Sequence, residues 1–301
     1  MNFNLLMLNL FIGMCRGSYG LPKDLKNLGY VDKWIEYKFN NQDLDIVHPD
    51  LIISSEKNKH TILIEFKSGS NTDDDQLKRY FRLTRSDIIT KAFLSPLSVN
   101  LHDIAIVGKN EHRERLKIGI EKRGYTFPLI LETGKGLKLF YNQFQVSETT
   151  NIFKPLLKVN WKYIPRSFVP VNSESDLWEI AELLLPKILK YLKEKRTTID
   201  IEEICQDCCI TWDIMGKPGK DDFRSNLKKV LAKAARHEFR GIFRSGGRKF
   251  INLEIINNPL DTDMDKLPRV FRNLREKQKK FIERLRTGKA FKGQMELPLE
   301  Y

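Results

Sequence analysis

Hydrophobic and polar positions recur along the chain with two periods, one suited to helices and one to strands. Leu5 to Met14 is an almost unbroken apolar run with no lysine or arginine ahead of it. It is too short to span a bilayer and lacks a small-residue cleavage pattern, so a core strand or helix is expected, with a signal or anchor as the alternative. Leu21 to Phe39 has apolar residues at Leu25, Leu28, Val31, Trp34, Ile35 and Tyr37, with Pro22 near its start, and predicts an amphipathic helix. Leu44 to Ser54 and His60 to Phe66 then predict two strands, joined by Glu56-Lys57-Asn58-Lys59 as a hairpin connection. Thr72 as a hydroxyl cap, with Asp73, Asp74 and Asp75 behind it, predicts a helix start. That helix would carry Gln76 and Tyr80 on one face. Ile104 to Val107, Glu111 to Arg123 and Phe127 to Leu131 continue as strand, helix, strand, which makes the first half α/β.

From about Tyr141 to Val171 the pattern is irregular and interrupted by Pro155, Pro165 and Pro170, so the domain boundary is expected there. The division is a domain over 1–142, a linker over 143–172, a second domain over 173–258 and a basic helical tail over 259–301. The second domain reads as helices over Ser175 to Lys195, Ile199 to Cys209 and Asp221 to Phe239. Ile242 to Arg244 and Lys249 to Leu253 follow as short strands around Ser245-Gly246-Gly247-Arg248. Three helices closed by a basic hairpin resemble a winged helix-turn-helix domain and imply a mainly α architecture.

Composition adds the direction of the surface field. The 301 residues carry a net charge of +13, which attracts polyanions, nucleic acid before an anionic membrane. Apolar residues at 41% are enough to fold most of the chain. Cys205 and Cys208 have the spacing of half a zinc site, but no second pair lies near. The downstream His237 falls within a helical stretch, so buried small cysteines in a reducing, cytoplasmic setting are the expectation.

The chemistry concentrates in His48-Pro49-Asp50-Leu51 and Ile64-Glu65-Phe66-Lys67. Side chains alternate along a strand, so Glu65 and Lys67 share one face while Ile64 and Phe66 take the other. If the two strands pair as a hairpin, Asp50 reaches the same face. Two carboxylates and a backbone carbonyl then form an oxygen-rich site suited to Mg²⁺, with Mn²⁺ as a substitute. Lys67 would lie beside a bound phosphate and its attacking water.

Pro49-Asp50 followed by Glu65-Phe66-Lys67 resembles the signature of the PD-(D/E)XK nuclease superfamily, over about Leu21 to Leu131. Gln76 and Tyr80 match the Gln-x-x-x-Tyr element of its RecB-like branch, and Glu36 falls where many members keep an extra acidic ligand. The glycine and histidine arrangement often found upstream in that branch is absent; His48 stands beside Pro49 instead. The resemblance implies a mixed sheet flanked by helices and a metal-dependent DNA endonuclease. Asp50, Glu65, Lys67, Gln76 and Tyr80 would be catalytic, and Asp50, Glu65 and Glu36 the metal ligands. A family of heteromeric-transposase endonuclease subunits also joins such a domain to a winged helix, and a DNA-binding regulator that has lost activity is the reading from another class.

DNA contact is expected from Arg224, Lys228, Lys229, Lys233 and Arg236 on the basic helix and from Arg244, Arg248 and Lys249 on the hairpin. One active site per chain suggests dimerisation for a double-strand break, with nicking as the alternative. After the basic stretch Arg269 to Arg286, the terminal Gln294-Met295-Glu296-Leu297-Pro298-Leu299 resembles the peptide that docks bacterial proteins onto the replicative sliding clamp. In that reading Gln294, Leu297 and Leu299 make the contacts.

Overall fold

Asn2 accepts the Leu5 N–H, and a helix, α1 (Phe3–Arg16), starts there and stops at Gly17, whose φ of 68° lets its N–H turn back onto Gly13 and Met14. Leu5, Met7, Leu8, Leu10, Phe11, Ile12, Met14 and Cys15 are all buried, so the helix is apolar around most of its circumference and belongs to a core. Among the described residues, no helix is long and apolar enough to cross a membrane. The computed structural model describes residues 2–172, 175–245 and 251–288. It divides into two compact units, Met1–Glu174 with Cys209–Phe223, and Ser175–Cys208 with Arg224–Tyr301.

The helix expected over Leu21 to Phe39 does not form. A single turn, α2 (Asp24–Asn27), ends at Gly29 with φ 77°, and the chain extends as β1 (Tyr30–Ile35). Tyr30, Val31, Trp34 and Ile35 are β-branched or aromatic, and pairing with a neighbouring strand overrides their helix-like spacing. The short pair β2 (Phe39–Asn40) and β3 (Ile46–Val47) comes next. The strand expected over Leu44 to Ser54 is thus broken, and β4 is only Leu51–Ser55. It turns through 56–59 into β5 (His60–Lys67), antiparallel as the hairpin spacing predicts.

α3 (Asp74–Phe81) is capped by the Asp73 carboxylate, which accepts the Asp75 and Gln76 N–H groups; the expected cap, Thr72, lies one residue too early. Then come α4 (Arg85–Lys91), β6 (Leu101–Lys109), α5 (Arg113–Glu121), β7 (Leu129–Glu132) and β8 (Gly136–Tyr141). Residues 143–172, expected as a linker, belong to the first unit. They hold α6 (Ser147–Phe153) and β9 (Leu157–Lys158), which pairs with β8, and the Asn9 side chain bonds both the N–H and the C=O of Val169. The prolines interrupt regular structure there without interrupting packing.

The strands form one mixed sheet in the order β1-β4-β5-β6-β7-β8-β9, with β5, β6 and β7 parallel and the remaining pairs antiparallel. Ile52, Leu63, Ile104, Ile106, Leu129 and Leu131 face Leu77 and Tyr80 of α3, Ile88 of α4, and Leu116 and Ile120 of α5. Phe66 lies on the opposite face against Phe11 of α1, with ring centroids 5.8 Å apart. Helices therefore cover both sides, and β5 presents Glu65 toward α3 and Phe66 toward α1.

In the second unit α7 (Leu177–Lys193) is followed by β10 (Thr198–Asp200) and α8 (Ile201–Cys208). Ile199 pairs with Leu253, both fully buried, which draws the start of the helix expected from Ile199 into a sheet. α9 (Lys217–Arg236), β11 (Phe243–Ser245), β12 (Asn252–Ile255) and α10 (Leu267–Thr287) complete the described chain. The three strands are antiparallel in the order β10-β12-β11. All four cysteines are buried and free of disulfides.

Candidate active site

The register of three strands aligns three carboxylates. Leu51 pairs with Ile64 and with Ile35, so one step outward sets Asp50 between Glu65 on β5 and Glu36 at the end of β1. Two backbone-anchored bonds hold this row. The Glu36 N–H donates to the Asp50 carbonyl at 2.9 Å, and the Phe66 N–H donates to Asp50 Oδ2 at 2.7 Å. Glu36 is not on a helix, as the apolar spacing over Leu21 to Phe39 suggested, but follows the end of an edge strand in the left-handed conformation with φ 48°. A non-glycine residue there costs on the order of 1–3 kcal/mol, and the neighbouring pairing sustains it.

On the same face, Lys67 Nζ donates to Glu65 Oε1 at 3.0 Å and to Gln76 Oε1 at 2.7 Å. The Tyr80 hydroxyl lies 2.7 Å from Glu65 Oε2 and 2.8 Å from the His48 carbonyl, two acceptors for its one proton, and Gln76 Nε2 reaches Tyr80 Oη at 3.4 Å. Residues four apart on a helix share a face, which is why α3 delivers both side chains to one place. The five residues expected to act together are thus linked side chain to side chain or through Phe66.

Electrostatics mark the row as short of positive charge. Burial, and then the Glu65 charge, push the Asp50 carboxyl well above the usual range; Glu36 adds to this, while the Phe66 N–H and Lys67 offset part of it. Burial and the nearby Asp222 raise Glu36 to about 7. Burial, with the Glu65 and Asp50 charges, raises the Tyr80 phenol well above its usual value, so it stays protonated and donates. The His48 carbonyl, the Phe66 N–H and Asp222 carry no motif of their own and are evident only from the folded arrangement.

Among the described residues, no three His, Cys, Asp or Glu side chains are gathered into a ready cage for a metal. Mg²⁺ does not require one. It is commonly held by one or two carboxylates, with waters and substrate phosphate completing six oxygens, and the carboxyls of Asp50, at the head of β4, and of the buried Glu65, on the strand paired with it, fit that ion.

The residues expected to contact DNA divide. Arg224 Nη2 bonds Glu202 Oε2 at 2.8 Å, and Arg244 Nε bonds Glu254 Oε2 at 2.5 Å, so both arginines are engaged by carboxylates. Lys228 and Lys233 are half-buried on α9, whereas Lys229 and Arg236 are exposed. Arg248, Lys249, Gln294, Leu297 and Leu299 lie outside the described residues.

A family model described as the MJECL32 domain matches residues 4–169, more than half of the chain and all of the row from Glu36 to Tyr80. No curated protein and no solved structure matches the chain.

Proposed function

The chain belongs to the MJECL32 domain family, and we propose that it is a Mg²⁺-dependent DNA endonuclease of the PD-(D/E)XK kind. The observation that carries this reading is the placement of Asp50 and Glu65 on paired strands, with Lys67 bonded to Glu65 on the same face. A divalent cation bound there would neutralise charge on a scissile phosphate and make a water more acidic. Asp50 and Glu65 would hold it, with Glu36 as the outer carboxylate. Lys67 orients the phosphate and the attacking water through its charge, and Gln76 fixes the amine in place. Tyr80 holds Glu65 by its second oxygen.

The second unit suits a targeting role. Its order of helix, strand, two helices and two strands, with a three-stranded antiparallel sheet, supports reading it as a winged helix, in which α9 would be the groove-reading element. Of the α9 residues expected to contact DNA, Lys229 and Arg236 are the exposed ones and would meet phosphate.

The test is to incubate the purified protein with supercoiled plasmid, linear duplex and branched DNA, in Mg²⁺, in Mn²⁺ and in EDTA. Nicked or cut products with either metal and none in EDTA are expected. Products that persist in EDTA, or none in any metal, would refute it.

A further inference from the structure

The strand end that carries Glu36 packs against a segment nearly two hundred residues further on, beyond the span that matches the family. Met215 bridges Ile35 in parallel, and the Gly216 N–H donates to the Ile35 carbonyl at 2.6 Å, so this segment meets the end of β1 at an isolated bridge before α9 begins. All these residues belong to the first unit. Two glycines mark the approach. A Cβ on Gly216 would sit 2.1 Å from the Glu36 carbonyl oxygen and 2.8 Å from Tyr37 Cα; a Cβ on Gly219 would sit 2.6 Å from Glu36 Oε2. Atoms do not approach so closely, and only a residue with no side chain leaves room. Neither glycine needs a left-handed backbone, since neither has positive φ. Gly219 lies in the first turn of α9, behind Pro218, where alanine would serve the helix better.

We propose that Gly216 and Gly219 form a cradle that positions Glu36 for the cation site, Gly216 by admitting its backbone and Gly219 by admitting its carboxylate. The proposal rests on the endonuclease reading above. It makes the start of α9 part of the catalytic unit's site without any contact to substrate. The two contacts differ in kind. At Gly216 a methyl group meets backbone, which cannot yield. At Gly219 it meets the far end of a side chain, together with Met215 Cγ and Sδ at 3.0 and 3.3 Å, and both side chains can move. Gly219→Ala therefore displaces the Glu36 carboxylate while leaving the fold intact.

The experiment is a double-mutant cycle read by Mn²⁺ binding to the full chain without DNA, by calorimetry, with melting temperature as the control. Gly219→Ala is expected to melt at or above the wild-type temperature and to bind Mn²⁺ about 10-fold more weakly, the usual cost of disturbing a ligand's supporting shell. Glu36→Gln is expected to weaken binding to a similar extent, and the double variant no further. Glu36→Asp, which leaves α9 untouched and shortens the reach to the cradle, is expected to match Glu36→Gln. Wild-type affinity in Gly219→Ala or in Glu36→Asp overturns the cradle, as do effects of Gly219→Ala and Glu36→Gln that multiply. Failure of the wild-type chain to bind Mn²⁺ overturns the endonuclease reading itself; binding by wild type that Glu36→Gln leaves unchanged overturns the cradle alone.

Discussion

The Tyr80 hydroxyl lies 2.7 Å from Glu65 Oε2, deep in a site where the tyrosine is only 2% exposed. Its ring packs with Leu77 and Ile52 in the core while its oxygen meets the acid, so one side chain ties helix packing to carboxylate position. Tyr80→Phe keeps the ring and deletes the donor. Leaving Glu65 and the His48 carbonyl short of that bond is expected to cost about 1–3 kcal/mol of stability, measured by urea unfolding, and to slow cleavage. Unchanged stability would mean that water replaces the hydroxyl.

Asp50→Ala and Lys67→Ala are expected to separate cutting from binding. Asp50→Ala removes a proposed cation ligand and should abolish Mg²⁺-dependent cleavage. Lys67→Ala should lower it by roughly 10²–10³, the scale of losing one preorganised charge at the reacting centre. DNA affinity measured in EDTA should stay close to wild type for both. Wild-type cleavage by either variant would contradict the assigned roles.

Glu36 gives a dependence on pH whose sign can be worked out. Its folded value of about 7 exceeds the ordinary 4.5, so the folded chain holds a proton that the unfolded chain releases. The associated stability is present below pH 4.5 and is lost as pH rises through 7. In EDTA, Glu36→Gln removes the charged form and should be more stable than wild type above pH 7, by about 1–3 kcal/mol, with the difference vanishing toward pH 4.5. Melting curves across that range check it; a constant difference at every pH would contradict it.

How much of this was legible in the chain follows from how local each signal is. The hairpin, the shared face of Glu65 and Lys67, and the pairing of Gln76 with Tyr80 rest on periods of two and of about four residues, which neighbouring positions carry by themselves. The strand over Tyr30–Ile35 was hidden because its apolar spacing also suits a helix, and only β4, twenty residues later, decides between them. Glu36 lies at a strand end and not on a helix for that reason. The packing of Gly216 and Gly219 against it joins segments so far apart that no local pattern could announce it. Residues 143–172 misled in the opposite direction, since proline spacing marks the end of regular structure and says nothing of the contacts that β9 and Val169 make.

On α9, Lys229 and Arg236 are exposed, and Arg224 is engaged by Glu202. Lys229→Glu and Arg236→Glu should each weaken DNA binding to a similar degree on every sequence and reduce the slope of log affinity against log salt by about 1. Arg224→Ala should chiefly loosen α8 from α9. Fluorescence anisotropy over a salt series distinguishes these outcomes, and an unchanged slope in both reversal variants would remove α9 from the DNA surface.

The most direct measurement is anomalous diffraction from crystals of the full chain soaked in Mn²⁺. One peak is expected, bound by carboxylate oxygens of both Asp50 and Glu65 at about 2.1 Å, close to the Mg²⁺ distance, with no such peak in Asp50→Ala. A saturated soak whose manganese lies elsewhere, with Asp50 and Glu65 still bare, would contradict it.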